Sequence, residues 1–118
     1  MENVHDEGGI TKGMVPVSWP VTFGSLSSQH FVSRGMILGV TASGCHIAGT
    51  MPLEVGMRLH MWGCPPAKPA PLSIRAIVVW VRGHEFGLDF RSLGMDDHQW
   101  LLDFLAETDR QSLLPQTA

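Results

Sequence analysis

The sequence predicts an all-β domain with one C-terminal helix, arranged as a six-stranded antiparallel barrel. Apolar and polar residues alternate in short runs between Val15 and Arg91, turn residues separate those runs, and after Asp96 the apolar spacing changes to three and four. Consecutive short strands of this kind suit a closed barrel with the helix laid over one opening, because closure removes exposed edges. An open sandwich is the alternative, and periodicity alone does not separate the two.

Residues 1–13 combine glycines and acidic residues without a period and read as a flexible N-terminal tail, leaving a domain over 14–110 and a second flexible tail over 111–118. The first strand, Val15 to Phe23, puts Val15, Val17, Trp19, Val21 and Phe23 on one face. Pro16 and Pro20 share the other parity and cannot donate ladder hydrogen bonds, so one side of this strand is expected to be an edge there. Gly24 to Ser28 reads as a hairpin turn and His30 to Val40 as the second strand, where Gly35 and Gly39 mark bulges or close backbone approach. A short third strand surrounds Cys45 and Ile47. A fourth alternates Met57, Leu59 and Met61 with Arg58, His60 and Trp62.

Residues 63–71 hold four of the eight prolines and form a loop. The fifth strand, Leu72 to Val81, is the richest in β-branched residues and places Leu72, Ile74, Ala76, Val78 and Trp80 on one parity, which makes Trp80 a core residue with Trp19. After Arg82-Gly83, Phe86, Leu88 and Phe90 alternate with outward Glu85, Gly87, Asp89 and Arg91. The helix spans Asp96 to Glu107, with two acids in its first turn and Trp100, Leu101, Phe104 and Leu105 on its apolar face. Residues after Arg110 are expected to fray.

At 118 residues the chain supports one core. Only 16% of residues are charged, with eight Lys and Arg against eleven Asp and Glu, so the basic footprint of a nucleic-acid polymer binder is missing. No run reaches the roughly 18 to 20 apolar residues of a membrane span, and the acidic N-terminus is unlike a signal peptide, so a cytoplasmic location is expected. Two cysteines fit that compartment. The six histidines and two cysteines show no paired ligand spacing, so no metal and no cofactor are expected.

The order of elements resembles the PilZ family, bacterial domains that respond to cyclic di-GMP. The likeness rests on residues 15–22 (VPVSWPVT), 37–47 (ILGVTASGCHI) and 52–56 (PLEVG), on 74–81 followed by Phe86-Gly87-Leu88-Asp89-Phe90, and on the final helix. It implies a barrel acting in cyclic di-GMP signalling, with a bacterial signalling or effector protein as partner. The family holds its ligand with an Arg-x-x-x-Arg motif and an Asp/Asn-x-Ser-x-x-Gly motif. The matching positions here are Met14 and Ser18, then Gly39, Thr41 and Gly44.

No Lys or Arg lies between Lys12 and Arg34, so both guanidinium positions and the acid are replaced while a hydroxyl and a glycine remain. At roughly 1.5 to 3 kcal/mol per charged contact, losing two arginines and the acid weakens binding by on the order of 10³-fold or more. The expectation is therefore an adaptor whose cyclic di-GMP site is weakened or lost. The alternative is a genuine receptor with a non-standard set, Arg34 with Thr41 and Gly44.

Other anion contacts would have to come from Arg34, Arg58, Arg75, Arg82 and Arg91, which isolated on strands read as solvated side chains. Neighbouring residues of a strand face opposite ways, so Cys45 and His46 make no catalytic dyad, and no phosphate loop or triad order is present. No enzymatic activity is expected. Trp62 and His60 on the outward parity of the fourth strand are the candidate partner-binding residues.

Overall fold

The computed structural model describes residues 14–25 and 32–113, with side chains through Thr108. Six strands, β1 (Val15–Ser25), β2 (Val32–Val40), β3 (Gly44–Gly49), β4 (Arg58–Gly63), β5 (Leu72–Arg82) and β6 (Glu85–Leu93), precede one helix, α1 (Met95–Leu113). All pairings are antiparallel and the order β1-β2-β3-β6-β5-β4 closes on itself through β1 and β4, so the barrel and not the open sandwich is formed.

Closure is uneven along β1. It pairs with β2 from Val15 to Gly24, with a register shift between Pro16 and Trp19, whereas β4 joins only from Val21 to Ser25. The Pro20 carbonyl points to the β4 side, where it accepts from the Cys64 amide at 2.9 Å. The parity that holds Pro16 and Pro20 therefore faces that side, and the missing N–H groups fall where no partner strand runs among the described residues.

Inward residues fill the barrel with Phe23, Ile37, Ile47, Leu59, Met61, Phe86 and Leu88, and the core contains no buried polar or charged side chain among the described residues. Two glycines of β2 behave as expected of close approach and bulging. A Cβ on Gly35 would fall on the Ala48 carbonyl, and the β2–β3 register shifts between Ile37 and Gly39.

The helix caps one mouth of the barrel. Leu101 is fully buried against the core, and Trp19, only 4% exposed, meets Trp100 edge-on at 5.9 Å and Phe104 edge-on at 5.1 Å. Trp100 and Phe104 stack on each other at 5.5 Å, so three rings form one apolar contact between strand and helix. Asp97 in the first turn accepts from the Ser73 amide at 3.0 Å and pairs with Lys68 at 3.2 Å, which ties helix, β5 and the proline-rich loop together.

Several local expectations are corrected. The register shift between Val78 and Trp80 turns Trp80 out of the barrel, so it is an outer-face residue and not part of the core. Gly24 and Ser25 belong to β1 and not to a turn, pairing with β4 and, for Gly24, with Val32 of β2. The helix begins at Met95 and continues through Leu113, past Arg110. The expected tail over 1–13, the turn residues 26–28, the strand start at His30 and the last residues, 114–118, lie outside the described residues.

Trp19→Ala removes the ring that joins β1 to the helix and is expected to destabilise the domain by about 3–5 kcal/mol. The half-exposed Trp62→Ala should lose less than about 1 kcal/mol, both read from guanidinium unfolding curves.

Candidate functional site

A cavity of about 370 Å³ opens on the outer face where the β2–β3 turn meets β5 and β6, lined by Met14, Thr41, Ser43, Gly44, Trp80 and Asp89 among others. Local backbone needs explain much of its wall. Thr41 Oγ1 accepts from the amides of Ser43 and Gly44, each at 3.1 Å, and the Thr41 amide donates to the Gly44 carbonyl at 2.9 Å. That hydroxyl thus caps its own turn. Gly44 is required by close approach, since a Cβ there would fall on the Leu88 carbonyl of β6.

The far wall is the indole of Trp80. It lies over Gly87, where a Cβ would collide with the ring, and beside His46, whose ring centroid is 5.2 Å away and whose Nε2 meets Glu85 Oε1 at 2.9 Å. Strand parity alone assigns Trp80 to the core. A glycine on the outward parity of β6 opposite a tryptophan is the sequence signal that points the other way, because a large ring covering a strand glycine needs that space. Asp89, also outward, adds a carboxylate to the rim.

The matching positions do not all converge. Met14, Thr41 and Gly44 line the cavity, while Gly39 lies under Met14 in an adjoining groove of about 180 Å³. A Cβ on Gly39 would come 2.6 Å from Met14 Sδ, so the methionine occupies the space that an acidic side chain would need. Ser18 is exposed on β1 and is not among the lining residues. Arg34 is five residues from Gly39 along β2, about 16 Å at about 3.3 Å per residue, and does not line the cavity either.

Among the described residues, no lysine or arginine lines this cavity. The Arg82 guanidinium carbon lies 5.5 Å from the Trp80 ring centroid without contributing to the lining.

On another face, His60 stacks on Trp62 with centroids 4.1 Å apart, and His60 Nε2 is 2.9 Å from Ser73 Oγ. Trp62 pairs across β1 with Thr22, and Thr22 with Arg34 of β2. Pro20 and Met36 form the next row. Trp62 and Met36 are each 37% exposed, so this outer face of β4, β1 and β2 presents large apolar side chains to solvent. Burial lowers the His60 pKa below the ordinary histidine value, and the charge of Arg75 on the neighbouring strand lowers it further.

Cys45 is buried and faces the core, while His46 faces outward, so the two do not meet. Among the described residues no group of three His, Cys, Asp or Glu is placed to hold a metal ion, and no helix is long and apolar enough to cross a membrane.

A small closed barrel with a capping helix and a cavity at the β2–β3 turn defines the class of protein. The PilZ domain model matches residues 15–107, and the chain belongs to the PilZ domain family, a family of cyclic di-GMP signalling whose members are receptor and adaptor domains. The fold is similar to that of the Bacillus subtilis inhibitor of motility MotI/DgrA, with a TM-score of 0.70 and 14% identity over 86% of this chain and 51% of that one. The chain thus spans about half the length of that protein. It is also similar to the PilZ domain of CeSA from a cellulose-synthesizing bacterium, with a TM-score of 0.61 and 8% identity over 81% of this chain and 97% of that one. No curated protein sequence matches it.

Burial pushes the Cys45 thiol well above its ordinary pKa, so Cys45 should stay unreactive in the folded protein while exposed Cys64 reacts. Titration with a thiol-reactive disulfide is expected to count one equivalent in buffer and two in guanidinium. Proton NMR should find His60 titrating below an ordinary histidine, and Arg75→Gln should move it upward. Because the folded value is depressed, the unfolded chain binds the proton first, and the stability His60 contributes is lost as pH falls below the ordinary histidine range.

Proposed function

We propose that this PilZ domain acts in cyclic di-GMP signalling mainly as a protein-interaction adaptor whose own dinucleotide site is weakened or lost. The observation that carries this is the composition of the cavity at the β2–β3 turn. Among the described residues it is lined by Met14 and Asp89 and by no cationic side chain, where a ligand with two phosphodiesters needs guanidinium partners. The motif residues that persist, Thr41 and Gly44, are each accounted for by the turn and by the approach of β6. A carboxylate on the rim repels a dianion further.

The partner surface in this reading is the outer face with Trp62 and His60, and the partner is a bacterial signalling or effector protein. A stacked aromatic pair with exposed Met36 nearby offers large, adaptable contact area at small entropic loss.

Calorimetric titration with cyclic di-GMP to about 100 μM is expected to give no saturable heat, and saturable binding in the low micromolar range would overturn the reading. Combining Met14→Arg, Ser18→Arg and Gly39→Asp should create binding that the parent lacks, with residue 14 swung to another rotamer to make room for a side chain at 39. A partner retained from bacterial lysate by the parent domain should be lost from Trp62→Ala, although that variant stays folded with a stability loss under about 1 kcal/mol.

A further inference from the structure

Three arginines far apart in sequence meet on the outer face of the barrel. Arg58, Arg75 and Arg91 lie on β4, β5 and β6, which are adjacent in the sheet, and together with Ala76, Ile77 and Ser92 they line a groove of about 400 Å³. The register explains the convergence. Arg75 pairs with Ser92, and Ala76 with Phe90, so the shift at this point leaves Arg91 as the extra residue of a bulge. In such a bulge both residues opposite the single partner lean to the same face, which brings Arg91 and Ser92 over Arg75. Arg58 approaches from β4 through its pairing with Ile77.

None of the three makes an ion pair with a carboxylate among the described residues. Three of the eight Lys and Arg of an acidic chain thus crowd one groove, although like charges on neighbouring strands destabilise a sheet. A second groove of about 280 Å³ shares Arg91 and Ser92, adds the imidazole of His98, and reaches Ser43 at the edge of the β2–β3 turn cavity.

We propose that this groove is an anion-binding site, separate from the cavity at the β2–β3 turn, that takes a soluble small molecule carrying a diphosphate. Planar guanidinium forks match phosphoryl oxygens two at a time, and three of them suit two adjacent phosphoryl groups better than a single carboxylate. The volume falls within the range of small-molecule sites, about 300–1,000 Å³. Ile77 beside the arginines gives an apolar contact for the organic part of a diphosphate ester. A nucleic-acid polymer fits poorly, because the charge is one compact patch on a chain of net charge −3.

The test is a titration of the full chain with inorganic pyrophosphate at constant ionic strength, followed by amide NMR. Saturable shifts centred on Arg75, Ala76, Ile77, Arg91 and Ser92 are expected, and Arg75→Gln with Arg91→Gln should weaken binding by at least about tenfold. Arg75→Lys, which keeps the charge and loses the fork, should also weaken it. A parallel titration with ADP separates free diphosphate from a diphosphate ester: tighter binding of ADP with added shifts at Ile77 assigns the ester, and equal binding assigns the inorganic group. The proposal is overturned if shifts fail to saturate, spread equally to Arg34 and Lys68, or centre on Thr41 and Gly44. Tighter binding of a glutamate-rich peptide than of pyrophosphate would overturn it as well.

Discussion

Because Pro16 and Pro20 carry no N–H, β1 cannot be a fully paired strand on both sides, and the barrel has to close through the five residues from Val21 to Ser25. The rest of the architecture depends on this asymmetry. The paired half of β1 puts Phe23 in the centre of the core. The half without a β4 partner sends Trp19 to the mouth, where Trp100 and Phe104 complete the enclosure. A helix with two large rings one turn apart is therefore a necessary part of the core, since without it the inward face at this end would meet water.

The same geometry separates three regions of the outer surface. The β2–β3 turn and the Trp80 ring enclose a cavity with an acidic rim. The β4–β1–β2 face carries exposed aromatic and thioether groups, and the β4–β5–β6 face collects guanidinium groups. A barrel of this size keeps its interior for packing, so ligand and partner chemistry has only its outer faces and turns to use.

Strand number, strand order along the chain and the terminal helix are legible in the sequence because periods of two and of 3.6 are visible in single runs of residues. The facing of Trp80 is not, for a reason that lies outside any period: one extra residue at Val79 reverses the facing of Trp80 and the residues after it. The replaced guanidinium positions at Met14 and Ser18 are readable as residue types, but their separation is not, since only Met14 reaches the cavity. The arginine groove is invisible in sequence. Arg58, Arg75 and Arg91 each read as an isolated solvated side chain, and only the adjacency of β4, β5 and β6 together with a bulge joins them.

The strand order has a consequence for how the chain assembles. Taken around the barrel, β1-β2-β3 and β4-β5-β6 are two three-stranded meanders made of local hairpins, and their backbones pair with each other through β1 with β4 and β3 with β6. Contacts such as His46 with Glu85 span 39 positions, so pairing at these seams closes longer loops than the hairpins do and costs more chain entropy. During synthesis the first meander emerges with the edge of β3 uncovered, while the prolines of β1 already blunt its other edge against pairing with a neighbouring chain.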